Sequence, residues 1–131
     1  MTARELLADI AATRIGLAPS AVHGIGVFAL TDIPAGTFDL FAPPCDWPAV
    51  PVAEIDALPP HARELVRTYC LRDETHYHLP AHGFRVRDLV MYLNHSAAPN
   101  LRSVDAGDYF EATRDIRGGE ELTVDYDTLG T

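Results

Sequence analysis

The sequence predicts a mainly β fold with a few short helices, and three observations carry that prediction. The β-prone runs, such as GVFAL, DYFEATRDI and EELTVDY, are short and are separated by turn residues. Helical spacing is confined to brief stretches, chiefly residues 2–12 and 61–70. Six of the ten prolines fall within residues 43–60. That region is therefore an insert or connection, because proline cannot donate to a central strand ladder. At 131 residues the chain suffices for one domain with its own core.

Taken in order, residues 2–12 read as a helix: Thr2 and Glu5 have capping-box spacing, and Leu6, Leu7 and Ile10 share a face. A strand is expected over residues 14–17. HGIGVFAL, 23–30, places two glycines before a β-prone run, and TDIPAGT, 31–37, reads as a turn because Pro34 and Gly36 punctuate it. TFDLFA, 37–42, alternates and suits a strand. HARELVRTYC, 61–70, has helical spacing at Leu65, Val66 and Tyr69, and THYHLP, 75–80, suits a short strand. RDLVMYLN, 87–94, fits a helical turn or a strand. Two strand-like runs close the chain on either side of Arg117-Gly118-Gly119. No repeat or low-complexity tract interrupts this order.

Composition narrows the function. The formal net charge is -9, which argues against a basic grip on nucleic acid and favours basic partners. All ten basic residues are arginine, so the protein cannot modify a lysine of its own. No apolar run approaches the roughly 20 residues of a membrane helix, and the first residues lack the apolar core of a secretory signal. An intracellular, cytoplasmic protein is the expectation. The two cysteines, Cys45 and Cys70, cannot form a zinc site by themselves and read as ordinary thiols.

Four stretches could carry chemistry. In HGIGVFA the two glycines lack Cβ atoms and let backbone approach a ligand, or simply make a β-turn. In THYHLPAH, His76 and His78 share a strand face and could bind a metal with His82, although no carboxylate has an obvious ligand spacing. Tyr77 faces the other way. In YLNHSAAPN, three polar residues, Asn94, His95 and Ser96, abut an apolar run, which makes either a turn or a binding segment. In GEELTVDYD, Leu122 and Val124 alternate with polar positions, and Tyr126 sits at the end, where a phenol can point into a cleft.

Read together, HGIGVFALTDIPAGT, YLNHSAAPN and FEATRDIRGGEELTVDYD resemble, in this order, three blocks of the SET-domain protein-lysine methyltransferases. The Asn-His-Ser-x-x-Pro-Asn block is the most specific of them, and the resemblance spans roughly residues 13–127. It implies a β-clip-like fold of several small curved sheets, with a C-terminal pseudoknot-like crossing of the Asn-His-Ser segment and the last strand. It divides a single domain into an N-terminal helix (1–12), an insert (43–90) and a cofactor-binding and catalytic part (91–127). It implies S-adenosylmethionine as cofactor and S-adenosylhomocysteine as product. Asn94 and His95 would bind the cofactor, the backbone of His23, Gly24, Ile25 and Gly26 would take its methionine part, and Tyr77, by a looser match, would contact it. Tyr126 falls on the catalytic tyrosine. The site would hold no metal.

The substrate implied is a lysine of a basic protein or peptide, a histone-like tail among the candidates. Three departures stand out. No cysteine-rich segment follows the last block, so the lysine channel is expected to be closed by the insert, by the peptide, or by a second copy of the chain in a homodimer. Val124 stands two residues before the tyrosine, where Phe or Tyr is frequent, and leaves the degree of methylation open. Ala97 replaces a frequent Cys. Two other readings stand beside the enzyme: a non-catalytic SET-like module that binds peptide or cofactor, and a metal protein built on the histidines of THYHLPAH.

Overall fold

Thr2 starts the first helix as its spacing with Glu5 predicts. Its hydroxyl accepts the Glu5 N–H at 3.1 Å, and the Glu5 carboxylate accepts the Thr2 N–H at 3.0 Å. The computed structural model describes residues 1–129. Its helices are α1 (Ala3–Ala12), α2 (Val52–Asp56) and α3 (Pro60–Tyr69). Its strands are β1 (Ile15–Pro19), β2 (Ile25–Ala29), β3 (Ala49–Pro51), β4 (His76–His78), β5 (Asn94–His95), β6 (Leu101–Val104), β7 (Tyr109–Ala112) and β8 (Glu121–Val124). Short 3-10 helices cover Leu89–Tyr92 and Tyr126–Thr128. No helix of the described residues is long and apolar enough to cross a membrane.

Among the described residues, three small sheets make up the β structure. The first has the order β1-β2-β8-β5. β8 is antiparallel to β2, with Val27 opposite Leu122, and parallel to β5, with Asn94 opposite Thr123 and His95 opposite Val124. The last strand in sequence thus lies between two earlier ones, which is the crossing expected of the Asn-His-Ser segment and the C-terminal strand. β6 and β7 form a hairpin, and β3 and β4 pair within the insert.

The main core gathers residues distant in sequence. Val27, Ile33, Leu101, Ile116, Leu122 and Val124 are almost completely buried. Side chains of this size contribute about 1.5–3 kcal/mol each when fully buried. The insert adds a smaller core of Ile55, Val66, Cys70 and Tyr77. Helix α1 buries none of its residues, and Leu6, Leu7 and Ile10 stay exposed on it.

Three expectations need adjustment. Residues 37–42 are not a strand. Thr37 O accepts the Ala112 N–H and Gly36 N–H donates to Ala112 O, but the ladder stops there. Phe38 points out while Leu40 is buried and Phe41 packs edge-on against Phe110, and Pro43 and Pro44 follow without donors. The strand β6 was not anticipated from its sequence, LRSV. Residues 87–94 combine both options, a 3-10 turn followed by the two-residue β5.

Candidate functional site

The site begins where β5 meets the loop before β2. Asn94 is buried. Its Nδ2 donates to His23 O at 3.0 Å and lies within 3.4 Å of Ile25 O. The same amide lies 3.1 Å from Ser20 Oγ and 2.9 Å from Glu121 Oε2. The Ser20 hydroxyl in turn donates to the Glu121 carboxylate, at 2.7 and 2.9 Å, and accepts the Val22 N–H at 2.9 Å. One amide, one hydroxyl and one carboxylate therefore lock the His23–Gly26 backbone onto β8.

The glycines of this loop answer to that packing. A Cβ at Gly26 would overlap the Glu121 carboxylate and lie 3.1 Å from Asn94 Nδ2. Gly24 has φ +50°, in the left-handed region that favours glycine. A Cβ there would meet nothing within 4 Å. The loop is thus pinned by Asn94 on its inner side, and there is free space beside Gly24 on the other.

His95 and Tyr126 form the second half of the site. The Tyr126 N–H donates to His95 Nδ1 at 3.0 Å, which leaves the proton of the neutral ring on Nε2. The two rings lie 5.2 Å apart, and Asp125 Oδ1 is 3.8 Å from His95 Nδ1. The Tyr126 hydroxyl donates to Leu93 O at 2.6 Å, the carbonyl one residue before Asn94. Burial pushes the phenol above the usual tyrosine range, and the Glu121 carboxylate adds to the shift. The hydroxyl is therefore protonated at neutral pH.

Asn100 closes the Asn-His-Ser segment onto β8. It is buried, its Nδ2 donates to Glu121 O at 2.8 Å, and its Oδ1 accepts the Thr123 N–H at 2.9 Å. The Ser96 hydroxyl accepts the Ala98 N–H at 3.1 Å and makes the turn between them. YLNHSAAPN thus makes a turn and is fastened to β8. Ser20 and Glu121 are site residues that sequence reasoning missed. Their bond spans 101 positions, and only the place of Glu121 inside the closing block GEELTVDYD hinted at it.

Tyr77 stands apart from this constellation. It is buried in the insert core with Ile55, Val66 and Cys70, and Arg72 lies over its ring at 5.1 Å. The histidines also separate. His76 Nδ1 contacts Thr75 Oγ1 at 2.7 Å, His78 faces Asp73 at 3.7 Å, and His82 pairs with Asp88 at 3.0 Å. A groove lined by Leu17, Leu65, Phe84, Arg85, Arg87 and Tyr92 opens beside the 3-10 turn that leads to Asn94. Arg87 stacks over Tyr69 at 4.5 Å, and Tyr69 meets Tyr92 edge-on at 5.6 Å.

Comparison with known proteins agrees with this arrangement. The family model of the SET domain matches residues 24–127. A crystal structure of a candidate histone methyltransferase from Plasmodium falciparum superposes with a TM-score of 0.50 at 21% identity, covering 87% of this chain and 93% of that one. That likeness speaks for the fold. No curated protein matches the sequence.

Proposed function

The chain belongs to the SET-domain family, and from that premise we propose that it is a protein-lysine N-methyltransferase that uses S-adenosylmethionine and acts on a basic protein or peptide. One observation carries the proposal: a protonated tyrosine hydroxyl is anchored to the carbonyl before Asn94, and the Asn94 amide holds a glycine loop with free space beside Gly24. The His23–Gly26 loop and the Asn94–His95 step would hold the cofactor. When bound, the cofactor supplies an electrophilic methyl group on a sulfonium.

The chain's own residues account for positioning. The Tyr126 hydroxyl spends its proton on Leu93 O, so its oxygen is left as an acceptor. An incoming amine N–H can donate to it, which orients the nitrogen lone pair away from the ring. A free lysine has a pKa of about 10.4, and the attacking amine must be neutral. A dehydrated channel disfavours the ammonium. Among the described residues the Leu93 carbonyl is the partner of the Tyr126 hydroxyl, so the tyrosine is assigned to positioning, not to proton abstraction.

The substrate class rests on charge. A net charge of -9 favours a lysine- and arginine-rich peptide. The groove with Arg85 and Arg87 would repel such a peptide, so its approach is assigned to the side carrying Asp125 and Asp127, next to Tyr126.

The test is isothermal titration with S-adenosylmethionine, followed by transfer of a labelled methyl group to a panel of basic proteins. Tyr126→Phe should lower turnover by about 10²-fold, the scale of a lost positioning contact, and leave cofactor affinity within a few-fold. Asn94→Ala should weaken cofactor affinity. Equal loss of turnover and affinity in Tyr126→Phe would make the residue structural. Binding without transfer by the wild-type protein would favour the non-catalytic module, and absence of binding would remove the cofactor.

A further inference from the structure

We infer that Cys45, His82 and Asp88 bind one divalent metal ion, with zinc the best match to the donor set. One ligand atom from each of the three lies within 4.8 Å of the others. Two backbone hydrogen bonds bring the first two together. Leu79 N–H donates to Pro48 O at 3.1 Å, and Ala81 N–H donates to Asp46 O at 2.9 Å. They clip the proline-rich segment that carries Cys45 onto the turn that carries His82. Asp88 is the residue before the 3-10 turn Leu89–Tyr92, which leads directly into Asn94.

The hydrogen bonds of His82 point to a cation. Its Nδ1 lies 2.9 Å from Gly83 O. A carbonyl can only accept, so Nδ1 carries the proton. In the neutral ring the Nε2 lone pair then faces Asp88 Oδ2 at 3.0 Å. Two lone pairs do not face each other at that distance without a positive charge between them. Either a second proton or a metal ion supplies it. A backbone carbonyl on the far ring nitrogen is the arrangement that orients a metal-ligating histidine.

The third donor distinguishes the two possibilities. A partly exposed ion pair stabilises little by itself, and Cys45 Sγ, within 4.8 Å of both groups, adds a third donor that a metal ion can use. Sulfur, imidazole nitrogen and carboxylate oxygen together suit zinc. Zinc bond lengths of about 2.0–2.3 Å place tetrahedral ligand atoms roughly 3.3–3.7 Å apart. His82 Nε2 and Asp88 Oδ2, 3.0 Å apart, have to part by a few tenths of an ångström, and Cys45 has to close by on the order of 1 Å. Cys45 and Asp88 also line a small cavity of about 30 Å³ with Trp47, Val90, Asp108 and Phe110. It has room for a water molecule beside two of the three donors. The ion would staple three segments of the insert, so the role is structural, and it is independent of the methyl-transfer reading.

The experiment uses the whole chain without a histidine tag, stripped with a chelator. Cobalt(II) is titrated first and zinc is then added in competition. One equivalent of cobalt with a thiolate-to-cobalt charge-transfer band, displaced by zinc, is expected, with a rise in melting temperature on zinc addition. Cys45→Ser should abolish the band. His82→Gln and Asp88→Asn should weaken binding by at least the roughly 10–100-fold that losing even an outer-shell partner costs. Cys70→Ser and His78→Gln should leave it unchanged. In the unmutated protein, zinc should also protect Cys45 from alkylation, a readout that does not depend on any variant folding. No binding, a band that survives Cys45→Ser, or binding lost in His78→Gln would overturn the assignment.

Discussion

Adding one methyl group at position 26 should break the network that holds the loop, and its cost follows from the geometry. In Gly26→Ala the new Cβ would overlap Glu121 Oε2 and lie 2.9 Å from its Cδ. Gly26 does not have a left-handed φ, so the backbone itself is not strained. The carboxylate, at the end of a flexible side chain, swings away. It then loses the Ser20 hydroxyl and the Asn94 amide. Hydrogen bonds to a charged group contribute about 1.5–3 kcal/mol each. Glu121 is partly exposed, so water recovers part of each bond, and the sum for two is roughly 2–3 kcal/mol.

A double-mutant cycle isolates this term. In a Glu121→Ala background there is no carboxylate to displace. Gly26→Ala should then be close to neutral: the Asn94 amide, 3.1 Å from the new Cβ, has to shift slightly, against a gain of about 0.4–1 kcal/mol from restricting the unfolded chain. The predicted coupling is therefore roughly 2 kcal/mol or more, well above the scatter of about 0.3–0.5 kcal/mol for independent sites. Urea unfolding followed by the fluorescence of Trp47, the single tryptophan, measures all four proteins. Additivity of the two substitutions would refute the network as the reason for glycine at position 26.

Two further outcomes follow from burial. Asn100→Ala should cost about 2–5 kcal/mol in the same urea assay, because it strands Glu121 O and the buried Thr123 N–H at about 1–3 kcal/mol each; a loss under about 1 kcal/mol would mean that water replaces the amide. Burial pushes the Cys70 thiol from 9.0 up to about 11, so at pH 8 and without metal it should alkylate on the order of 100-fold more slowly than an ordinary thiol. The folded state holds that proton more tightly than the unfolded one. Its contribution to stability is thus complete below pH 9 and lost as pH rises from 9 through about 11. Equal rates for folded and urea-unfolded Cys70, or an alkaline limb of the stability curve unchanged by Cys70→Ala, would contradict the burial.

Local signals were legible in the sequence, and long-range ones were not. The capping box of α1, the helical spacing of α3 and the strand β8 were readable because each rests on spacing within a few residues. The three blocks also named most of the site: Asn94, His95, the His23–Gly26 loop and Tyr126 do come together in the fold. Residues 37–42 misled because alternation was genuine, but the following prolines and the single partner at Ala112 end the ladder. Ser20 was overlooked because its hydroxyl matters only once Glu121 arrives from the other end of the chain. For the same reason the THYHLPAH histidines suggested the wrong cluster. His82 meets Cys45 and Asp88 across the insert, while His76 and His78 turn to local partners.

The position of β8 links the site to the core. Leu122 and Val124 are buried at 0% and 1% exposure, while Glu121 and Asp125, on the alternate positions, reach the loop and His95. A slip of one residue would exchange the two sets and put a carboxylate into the core. Burial of the two aliphatic side chains contributes about 3–6 kcal/mol, against the roughly 2–3 kcal/mol of the Glu121 hydrogen bonds. The core therefore fixes the register first, and the polar network then secures the loop to a strand already in place. Tyr126 follows two residues after Val124, too close to move independently. Its hydroxyl reaches Leu93 O only in this register, because Leu93 precedes the residue that pairs with Thr123. Packing at Leu122 and Val124 thus sets the place of the phenol, although neither side chain touches it through a hydrogen bond.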